Sequence, residues 1–273
     1  MDALFGPHDA AAWIAVPADD DDKYSRGVVG FVTGSALYPG AAVLGVEAAA
    51  RTGVGMIRYL GAGRPTRLVL QRRPEAVTAS GRVQAWVLGS GQDPEKLDEV
   101  TRELLDAALA QTVPIVLDGA AMARRSSAHG PVLLTPHARE LSTLTGWDLD
   151  GIRADPARAA VRAAAELDAT VLLKGHTTHV ASQDGTLLRV SSAPSWLATA
   201  GAGDALAGIL GALLATHHTE LAADPRVLSP LAATGAVLHG LAAEAASAGG
   251  PLTILDLAAE LPSVIARLLS SRG

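Results

Sequence analysis

The chain has 273 residues, a formal net charge of −6 and no cysteine, which excludes a disulfide framework, a catalytic thiolate and a cysteine zinc site. The negative charge and the lack of long lysine or arginine runs argue against a nucleic-acid partner. Aromatic residues make up only 3% of a chain that is 49% hydrophobic, so Ala, Val and Leu must fill the interior. This composition favours helices packed closely against a sheet.

The N-terminal region has no basic segment followed by an apolar stretch, so we expect no secretion signal. The longest apolar helix that the pattern predicts, Ala205–Ala215, is shorter than the roughly 20 residues that cross a bilayer. We therefore expect a cytoplasmic protein without membrane contact. Residues 1–22, which end in the acidic run Asp19–Asp22, are expected to form a loosely ordered leader, and residues 23–273 a single domain.

Beyond the leader, short apolar runs alternate with helical stretches. The runs predict strands over Val28–Thr33, Met56–Leu60, Ala85–Leu88, Ile115–Leu117, Val132–Leu134 and Thr170–Leu173. The other stretches predict helices over Ala41–Arg51, Glu95–Ala110, Pro156–Leu167, Ala205–Ala215, Ser229–Ala246 and Asp256–Leu269. This alternation indicates an α/β fold with a mostly parallel central sheet flanked by helices on both faces. Two further runs, Thr178–Ala181 and Leu187–Val190, flank Asp184-Gly185 and predict an antiparallel hairpin at the sheet edge.

The strongest chemical signal is the segment Ala198–Asp204, which leads directly into an apolar helix. Its small residues allow the backbone N–H groups of Gly201, Ala202 and Gly203 to converge at the helix N-terminus, where the dipole favours an anion such as phosphate. Asp204 falls in the first turn, close enough to take a proton from a hydroxyl that attacks the phosphate. The alternative is that Asp204 only caps the helix.

A second signal is Lys174, which directly follows a predicted strand. The carboxyl end of a parallel strand is where α/β folds bind their ligands. The residues after the lysine would then wrap a nucleotide phosphate; they are Gly175, His176, Thr177 and Thr178. The alternative is that Lys174 extends from the sheet edge into water.

A third signal is the turn between a predicted strand and a helix that carries His137 and Glu140. Either residue would suit a ligand or a magnesium-bound water, although a lone histidine in such a turn is more often a backbone hydrogen-bonder than a catalyst, and the alternative for Glu140 is a helix cap. His217 and His218 are interpreted as surface residues. The glycine clusters match neither the dinucleotide fingerprint G-x-G-x-x-G nor the phosphate loop G-x-x-x-x-G-K-[ST], which disfavours Rossmann and P-loop chemistry.

Together and in this order, the segments resemble the NAD(P)H-hydrate dehydratase family, a branch of the ribokinase-like superfold. The resemblance runs from about Lys23 to Leu269. Its markers are Tyr38–Ala41, Arg51–Gly55, Gly89–Gly91, Val116–Asp118, Thr135–His137 with Glu140, Leu173–Gly175 and Ala198–Asp204.

The resemblance implies a hydro-lyase in which ADP phosphorylates the ring hydroxyl of hydrated NADH or NADPH, phosphate leaves and the nicotinamide double bond returns, with AMP as the other product. Asp204 would be the base, and the amides of Gly201, Ala202 and Gly203 would form the anion hole. Lys174, Gly175, His176, Thr177 and Thr178, with Gly203, would hold the nucleotide, while Ala41, Gly91, His137 and Asp204 would contact the hydrated dinucleotide. The resemblance further implies Mg²⁺ bound largely through water and phosphate, a homotetramer, and a functionally linked separate epimerase.

Five positions depart from the family pattern. Ala138-Arg139 stands where Pro-Gly is typical, Ser90 replaces a proline, Ala202 stands where threonine is frequent, and Trp196 occupies a usually small site. If the resemblance holds, Arg139 and Trp196 would be able to reshape the dinucleotide pocket. Two alternatives remain: a small-molecule kinase of the same superfold, acting on a sugar, a hydroxymethylpyrimidine or a thiazole, and an inactive nucleotide-binding regulator.

Overall fold

Nine strands form one sheet in the computed structural model, which describes residues 2–61 and 63–272. The strands are β1 (Asp2–Leu4), β2 (Val28–Val32), β3 (Met56–Tyr59), β4 (Ala85–Leu88), β5 (Ile115–Leu117), β6 (Val132–Leu134), β7 (Thr170–Leu173), β8 (Thr178–Ala181) and β9 (Leu187–Val190). Their order across the sheet is β1-β9-β8-β7-β6-β5-β4-β2-β3. The six strands from β7 to β3 are parallel, and β8 runs antiparallel to both β7 and β9. The prediction of a mostly parallel sheet with an antiparallel edge region is confirmed.

Eleven α-helices accompany this sheet in the described part of the chain. They are α1 (Pro7–Ala11), α2 (Gly40–Thr52), α3 (Arg64–Arg72), α4 (Glu99–Leu109), α5 (Ala138–Thr145), α6 (Leu149–Ala154), α7 (Pro156–Leu167), α8 (Ala202–Thr216), α9 (His218–Ala223), α10 (Leu228–Ser247) and α11 (Ile254–Ser270). One face of the sheet packs against α1, α2, α8, α10 and α11, and the other against α4 to α7. Successive strand residues alternate between the two cores, as the period of a pleated strand requires: Val29 and Phe31 face one, Val28 and Val32 the other.

The hairpin and four of the parallel strands occur at the predicted bounds, and most predicted helices differ by one to three residues at each end. The predicted helix Glu95–Ala110 is interrupted: a short 3-10 turn, Pro94–Lys96, precedes α4. The reason is local, because the Asp98 carboxylate accepts a hydrogen bond of 2.7 Å from the Thr101 N–H and caps α4 at that point.

The expectation of a loosely ordered leader is wrong for residues 2–11. Strand β1 pairs in parallel with β9, and α1 follows it directly. Phe5, Ala10 and Ala11 are buried in the same core as α10 and α11. At the other end of the chain, the Arg272 guanidinium donates hydrogen bonds to the carbonyl of Ala11. These partners are distant in sequence, so local composition gives no sign of them.

Helix α8 lies between α2 and the sheet, and glycines allow the close approach on both of its faces. A Cβ atom at Gly208 would lie 2.1 Å from the Gly45 carbonyl oxygen of α2, and one at Gly211 would lie 2.2 Å from a methyl carbon of Val87 in β4. Both distances are far below van der Waals contact. The packing therefore fixes the position of α8, and with it the position of its N-terminus.

The segment Pro225–Ser247, which includes α10, is long and apolar enough to span a membrane, and 78% of its most apolar stretch is buried inside the protein. It is longer than Ala205–Ala215, the longest apolar helix that the sequence pattern predicts. Its burial against α8 and the sheet explains its composition, because a helix that is apolar on all sides is typical of a protein core.

Glu47 of α2 is a buried carboxylate that joins α2 to α3. Its side chain is 0% exposed and accepts hydrogen bonds from Arg51 (2.6 Å), Arg72 (3.1 Å) and Arg73 (2.6 Å). Burial acts to raise the pKa of Glu47, but the guanidinium groups of Arg73, Arg51 and Arg72 outweigh it and lower the pKa to about 2. This cluster anchors the helix whose first turn carries Ala41.

We expect Glu47→Gln to lower the free energy of unfolding near neutral pH by about 2 kcal/mol. This is less than the ~3–5 kcal/mol for breaking a fully buried pair, because the three arginines keep partial contact with water. Since the pKa of Glu47 falls from 4.5 to about 2 on folding, the difference from the wild type should be complete above pH 4.5 and shrink as the pH falls toward 2. Urea unfolding at several pH values measures it. Glu75→Gln, at the exposed partner of Arg73, is the control and should change stability by less than about 0.5 kcal/mol; equal losses for the two variants would contradict the assignment.

Candidate active site

Polar residues follow four neighbouring parallel strands at the same edge of the sheet. Ser90 lies just beyond β4, and Asp118, Thr135 and Lys174 directly follow β5, β6 and β7. The backbone pairing continues through them, since the Lys174 N–H donates to the Pro136 carbonyl at 2.8 Å. This is the edge at which open α/β sheets bind ligands.

Asp118 is the centre of this group and is almost fully buried, with 6% of its surface exposed. Its carboxylate accepts hydrogen bonds from Ser90 Oγ (2.9 Å), Thr135 Oγ1 (2.8 Å) and Lys174 Nζ (3.2 Å). Burial acts to raise the pKa of Asp118, but the Lys174 ammonium and the two hydroxyl donors outweigh it and hold the pKa below its usual range. Asp118 is therefore ionised at neutral pH.

Lys174 extends into the protein and not into water, so the structure does not support the alternative that it leaves the sheet edge for solvent. Only 20% of its side chain is exposed, and its ammonium lies 3.2 Å from Asp118 Oδ1 and 3.5 Å from Glu140 Oε2. Burial acts to lower the pKa of Lys174, but the two carboxylates, Asp118 more than Glu140, keep it above its usual value. A Cβ atom at Gly203 would lie 3.4 Å from this ammonium, so Lys174 reaches the first turn of α8.

The N-terminus of α8 presents unpaired backbone donors. Gly201 is the N-cap residue with a φ of 92°, a left-handed conformation that favours glycine. Among the residues that the structure describes, the N–H groups of Gly201, Gly203 and Asp204 have no hydrogen-bond acceptor, and that of Ala202 makes only a 3.4 Å contact with the Thr199 carbonyl. Free N–H groups beside a lysine ammonium form a site for an anion.

Asp204 is the third residue of α8, and within the described chain its carboxylate has neither a hydrogen-bond partner nor an ion-pair partner. The cap position belongs to Gly201, so Asp204 does not act as the helix cap that the alternative interpretation required. Burial raises the pKa of Asp204 to about 6; the negative charge of Asp118 adds to the rise and the Lys174 ammonium opposes it. A carboxylate with a pKa near the working pH is suited to accept a proton.

A cavity of roughly 650 Å³ opens beside Lys174 and the first turn of α8. Seven of the predicted site residues line it: His137, Lys174, Gly175, His176, Thr178, Ala202 and Gly203. The opposite wall is mostly apolar and includes Val190, Leu197, Leu206 and Ala236. Thr177, also predicted to hold the nucleotide, lies outside the lining, and its hydroxyl instead contacts Ser191 Oγ at 3.0 Å.

In the part of the chain that the structure describes, Ala41 and Gly91 lie next to each other but do not line this cavity. A Cβ atom at Gly91 would lie 2.3 Å from Ala41 Cβ, so the loop after β4 packs directly on the first turn of α2. Leu44, one turn along α2, packs against Gly201: a Cβ atom there would lie 2.5 Å from Leu44 Cδ1. Gly201 therefore packs against α2, the helix that carries Ala41; like Ala41 and Gly91, Gly201 and Asp204 do not belong to the described lining of the cavity.

His137 and Glu140 form a reciprocal helix cap at the start of α5. His137 Nδ1 accepts from the Glu140 N–H (3.1 Å), and Glu140 Oε2 accepts from the His137 N–H (2.8 Å). His137 is therefore a backbone hydrogen-bonder and Glu140 a helix cap, as the alternative interpretations of these residues predict. Glu140 has a second contact as well, because the same oxygen lies 3.5 Å from Lys174 Nζ.

Two site residues carried no assigned role in the sequence analysis. Asp118 directly follows a predicted strand, as Lys174 does, so its position in the sequence indicates a site residue. His239 lies in the apolar run of α10, where the sequence pattern does not indicate a site residue. It lines the cavity, and its Nε2 is buried without a hydrogen-bond partner among the described residues. Burial lowers the pKa of His239 to about 4. The interpretation of His217 as a surface residue is wrong, because only 6% of it is exposed.

Of the residues that depart from the family pattern, Arg139 is exposed on the first turn of α5. Trp196 is 51% exposed, and its Nε1 donates to the Gly249 carbonyl at 3.3 Å. The neighbours of Trp196, Ser195 and Leu197, line the cavity although Trp196 itself does not.

Comparison with known proteins agrees with this geometry. The sequence profile of the NAD(P)H-hydrate dehydratase family matches residues 29–263. The chain belongs to this family. A bifunctional NAD(P)H-hydrate repair enzyme of Mycobacterium leprae is 39% identical over 76% of the chain, which spans about half (45%) of that protein's length. An ADP-dependent (S)-NAD(P)H-hydrate dehydratase of Neisseria meningitidis is 34% identical over 93% of the chain and 88% of its own length.

The fold of this family member is also that of solved structures. The crystal structure of an ADP/ATP-dependent NAD(P)H-hydrate dehydratase from Bacillus subtilis, co-crystallised with ATP/Mg²⁺, superposes with a TM-score of 0.86 at 26% identity, covering 97% of this chain and 98% of that one. A ribokinase-like superfamily protein of Enterococcus faecalis superposes with a TM-score of 0.81 at 22% identity over 98% of this chain and 96% of its own, which supports the fold alone. The prediction of a ribokinase-like fold is confirmed.

Because its pKa is raised, we expect the ionised carboxylate of Asp204 to destabilise the folded protein. Its pKa rises from 3.8 to about 6 on folding, so the ionised form is disfavoured in the folded state above pH 6. We expect Asp204→Asn to raise the free energy of unfolding at pH 8 by about 1–2 kcal/mol, after discounting for partial contact with water. The gain should shrink as the pH falls from 6 and be absent below 3.8, because both states then hold the proton.

Urea unfolding of both proteins between pH 3 and pH 8 measures this gain. The range covers both the ordinary pKa of Asp204, 3.8, and its raised pKa of about 6 in the folded protein. Asp150→Asn is the control, since Asp150 also lies in the first turn of a helix but its side chain is 88% exposed. That variant should gain no stability at pH 8. A gain at Asp204 that does not depend on pH would contradict the burial of a charge as its cause.

Proposed function

We propose that the chain is an ADP-dependent hydro-lyase that converts the S epimer of hydrated NADH or NADPH back to NAD(P)H, with AMP and phosphate as the other products. The observation that carries the proposal is the N-terminus of α8, where a partner-free Asp204 and unpaired backbone N–H groups lie beside the buried Lys174 ammonium. Membership of the dehydratase family supports the substrate assignment. The ADP-dependent relatives from Neisseria meningitidis and Xanthomonas campestris support the choice of phosphoryl donor.

In the proposed reaction Asp204 takes the proton of the ring hydroxyl as its oxygen attacks the β-phosphorus of ADP. The bond between that phosphorus and the bridging oxygen breaks, and AMP leaves with the electron pair. The phosphorylated ring then loses inorganic phosphate together with a proton from the adjacent carbon, which restores the double bond. The N–H groups of Gly201, Ala202 and Gly203 would stabilise the negative oxygens of the transferring group.

The cavity beside Lys174 is the proposed site for ADP. The Lys174 ammonium, with Gly175, His176, Thr177 and Thr178, would hold the phosphates next to Gly203, and the apolar wall suits a flat base. Ala41, Gly91, His137 and Asp204 are proposed to contact the hydrated dinucleotide. Ala41 and Gly91 lie on the α2 side of Gly201, so the two substrates would meet across the first turn of α8.

Magnesium fits the charges of this site. Three carboxylates, Asp118, Glu140 and Asp204, are grouped with one ammonium, which is a poor environment for an anionic nucleotide alone. Among the described residues no three His, Asp or Glu side chains are arranged to hold a metal ion, so the ion would be held largely by phosphate and water, with Glu140 as the candidate protein contact through water. When bound, magnesium would neutralise charge on the phosphoryl group.

The expectations of a cytoplasmic homotetramer and a separate epimerase remain predictions. The bifunctional relatives combine repair activities in one longer chain, of which this chain matches about half.

The direct test is recovery of NADH from enzymatically prepared NADH hydrate with ADP and Mg²⁺, followed at the NADH absorbance band. We expect recovery with ADP, none without a nucleotide, and one AMP per NADH. Asp204→Asn should bind ADP normally but lower turnover by about 10² to 10⁴, the usual contribution of a general base. Recovery that does not need ADP would refute the proposal, and a phosphorylated product that accumulates from another small molecule would favour the kinase alternative.

Replacement of Lys174 tests the nucleotide site separately. We expect Lys174→Met to weaken ADP binding in calorimetry by about tenfold or more, because a buried cation that contacts phosphate is lost. Lys96→Met is the matched control: Lys96 is 64% exposed and pairs with Asp93, away from the cavity lining. Equal ADP affinity in the wild type and in Lys174→Met would place the nucleotide elsewhere.

A further inference from the structure

Asp118 connects the ends of four neighbouring strands through side-chain contacts. Its own strand is β5, and the donors to its carboxylate follow β4, β6 and β7. With 6% exposure and three donors, this carboxylate has little freedom to move. A buried, fully hydrogen-bonded charge of this kind can hold another group in one place.

The group that it holds is the Lys174 ammonium. Two carboxylates lie near that ammonium, but Glu140 is the weaker partner: its oxygen is 3.5 Å away, its side chain is 28% exposed, and the same oxygen caps α5. Asp118 lies at 3.2 Å and its side chain is 9% exposed. Asp118 therefore determines where the ammonium lies relative to Gly203.

Asp118 also lies close to the first turn of α8, because the ammonium 3.2 Å from its Oδ1 would be 3.4 Å from a Cβ atom at Gly203, the residue before Asp204. From there its negative charge acts to raise the pKa of Asp204. Lys174 acts in the opposite direction and more weakly. Among the described residues no other charged group acts on the pKa of Asp204. The first turn of α2 has no ionisable residue, His239 of α10 is neutral near pH 7 because burial lowers its pKa to about 4, and the Asp256 carboxylate of α11 accepts the Thr253 hydroxyl at the cap of its own helix. The two strand-end residues are thus the charged groups that set the environment of Asp204 within the described chain.

We propose that Asp118 is a positioning residue of the active site, which holds the Lys174 ammonium against the first turn of α8 and places a fixed negative charge opposite Asp204. The proposal rests on the proposed function, in which Lys174 binds the nucleotide and Asp204 accepts the proton. Asp118 itself would touch neither substrate, because its oxygens are occupied by Ser90, Thr135 and Lys174.

Two measurements on the ligand-free, metal-free protein test the proposal independently of any reaction. The first is the ¹⁵N spectrum of the lysine ammonium groups, which contains three signals at most because the chain has only Lys23, Lys96 and Lys174. The second is the ¹³C titration of the Asp204 carboxyl, assigned by its loss in Asp204→Asn. Asp118→Asn is the test variant, since asparagine keeps the shape and can accept from Thr135. Glu140→Gln is the matched control, since it removes the other partner of Lys174.

We expect a slowly exchanging Lys174 signal in the wild type and in Glu140→Gln, and its loss in Asp118→Asn. The midpoint of the Asp204 titration should fall by about half a unit to one unit in Asp118→Asn and stay unchanged in Glu140→Gln. An unchanged midpoint in Asp118→Asn, or an equal fall in Glu140→Gln, would overturn the proposal. If Asp118→Asn does not fold, Asp118→Asn/Lys174→Gln, which removes both charges of this buried ion pair, should still lower the midpoint, because Asp118 acts on Asp204 more strongly than Lys174 does. Since no substrate is present, failure of the dehydratase assay would leave both results interpretable.

Discussion

The close packing of α8 between α2 and the sheet is the constraint on which the site depends. Gly208 and Gly211 bring the helix within a distance of Gly45 and Val87 that any larger residue would prevent. Of the fifteen residues of α8, the eleven from Ala205 to Ala215 are buried. The first turn is therefore held by the core of the protein, which gives the N–H groups of Gly201 to Gly203 the fixed geometry that the proposed phosphoryl transfer requires.

Much of this arrangement could be predicted from the sequence because it follows local rules. Strands β4 to β7 are short apolar runs buried on both faces, and the hairpin carries its own Asp-Gly turn. The elements that escaped prediction depend on distant partners. Strand β1 has only three residues and needs β9, and α3 is a polar helix that shows one buried face only in the context of Glu47.

The same distinction applies to the site. Asp204 and Lys174 were found because each stands at the end of a recognisable element. The contacts between strand ends were not, because they depend on the order of strands across the sheet. Asp118 and Glu140 both contact Lys174 because β5, β6 and β7 are neighbours in the sheet. His239 shows the limit most clearly, since a single histidine in an alanine-rich helix is indistinguishable in sequence from a core residue.

The pairing of β1 with β9 has a consequence for solubility. Without β1, the four residues of β9 would form the edge of the sheet, with backbone N–H and C=O groups open to strands of other molecules. With β1 in place the edge strand is only three residues long, which leaves less backbone for other strands to pair with. The residues that cover β9 are held from the opposite end of the chain, because Arg272 donates to the carbonyls of Ala11 and Ile14 just beyond them. Strand β1 near the N-terminus and Arg272 near the C-terminus thus together protect β9 from pairing with strands of other molecules. β1 lies next to the hairpin that carries Thr178, so loss of β1 would disturb the side of the cavity that Thr178 lines.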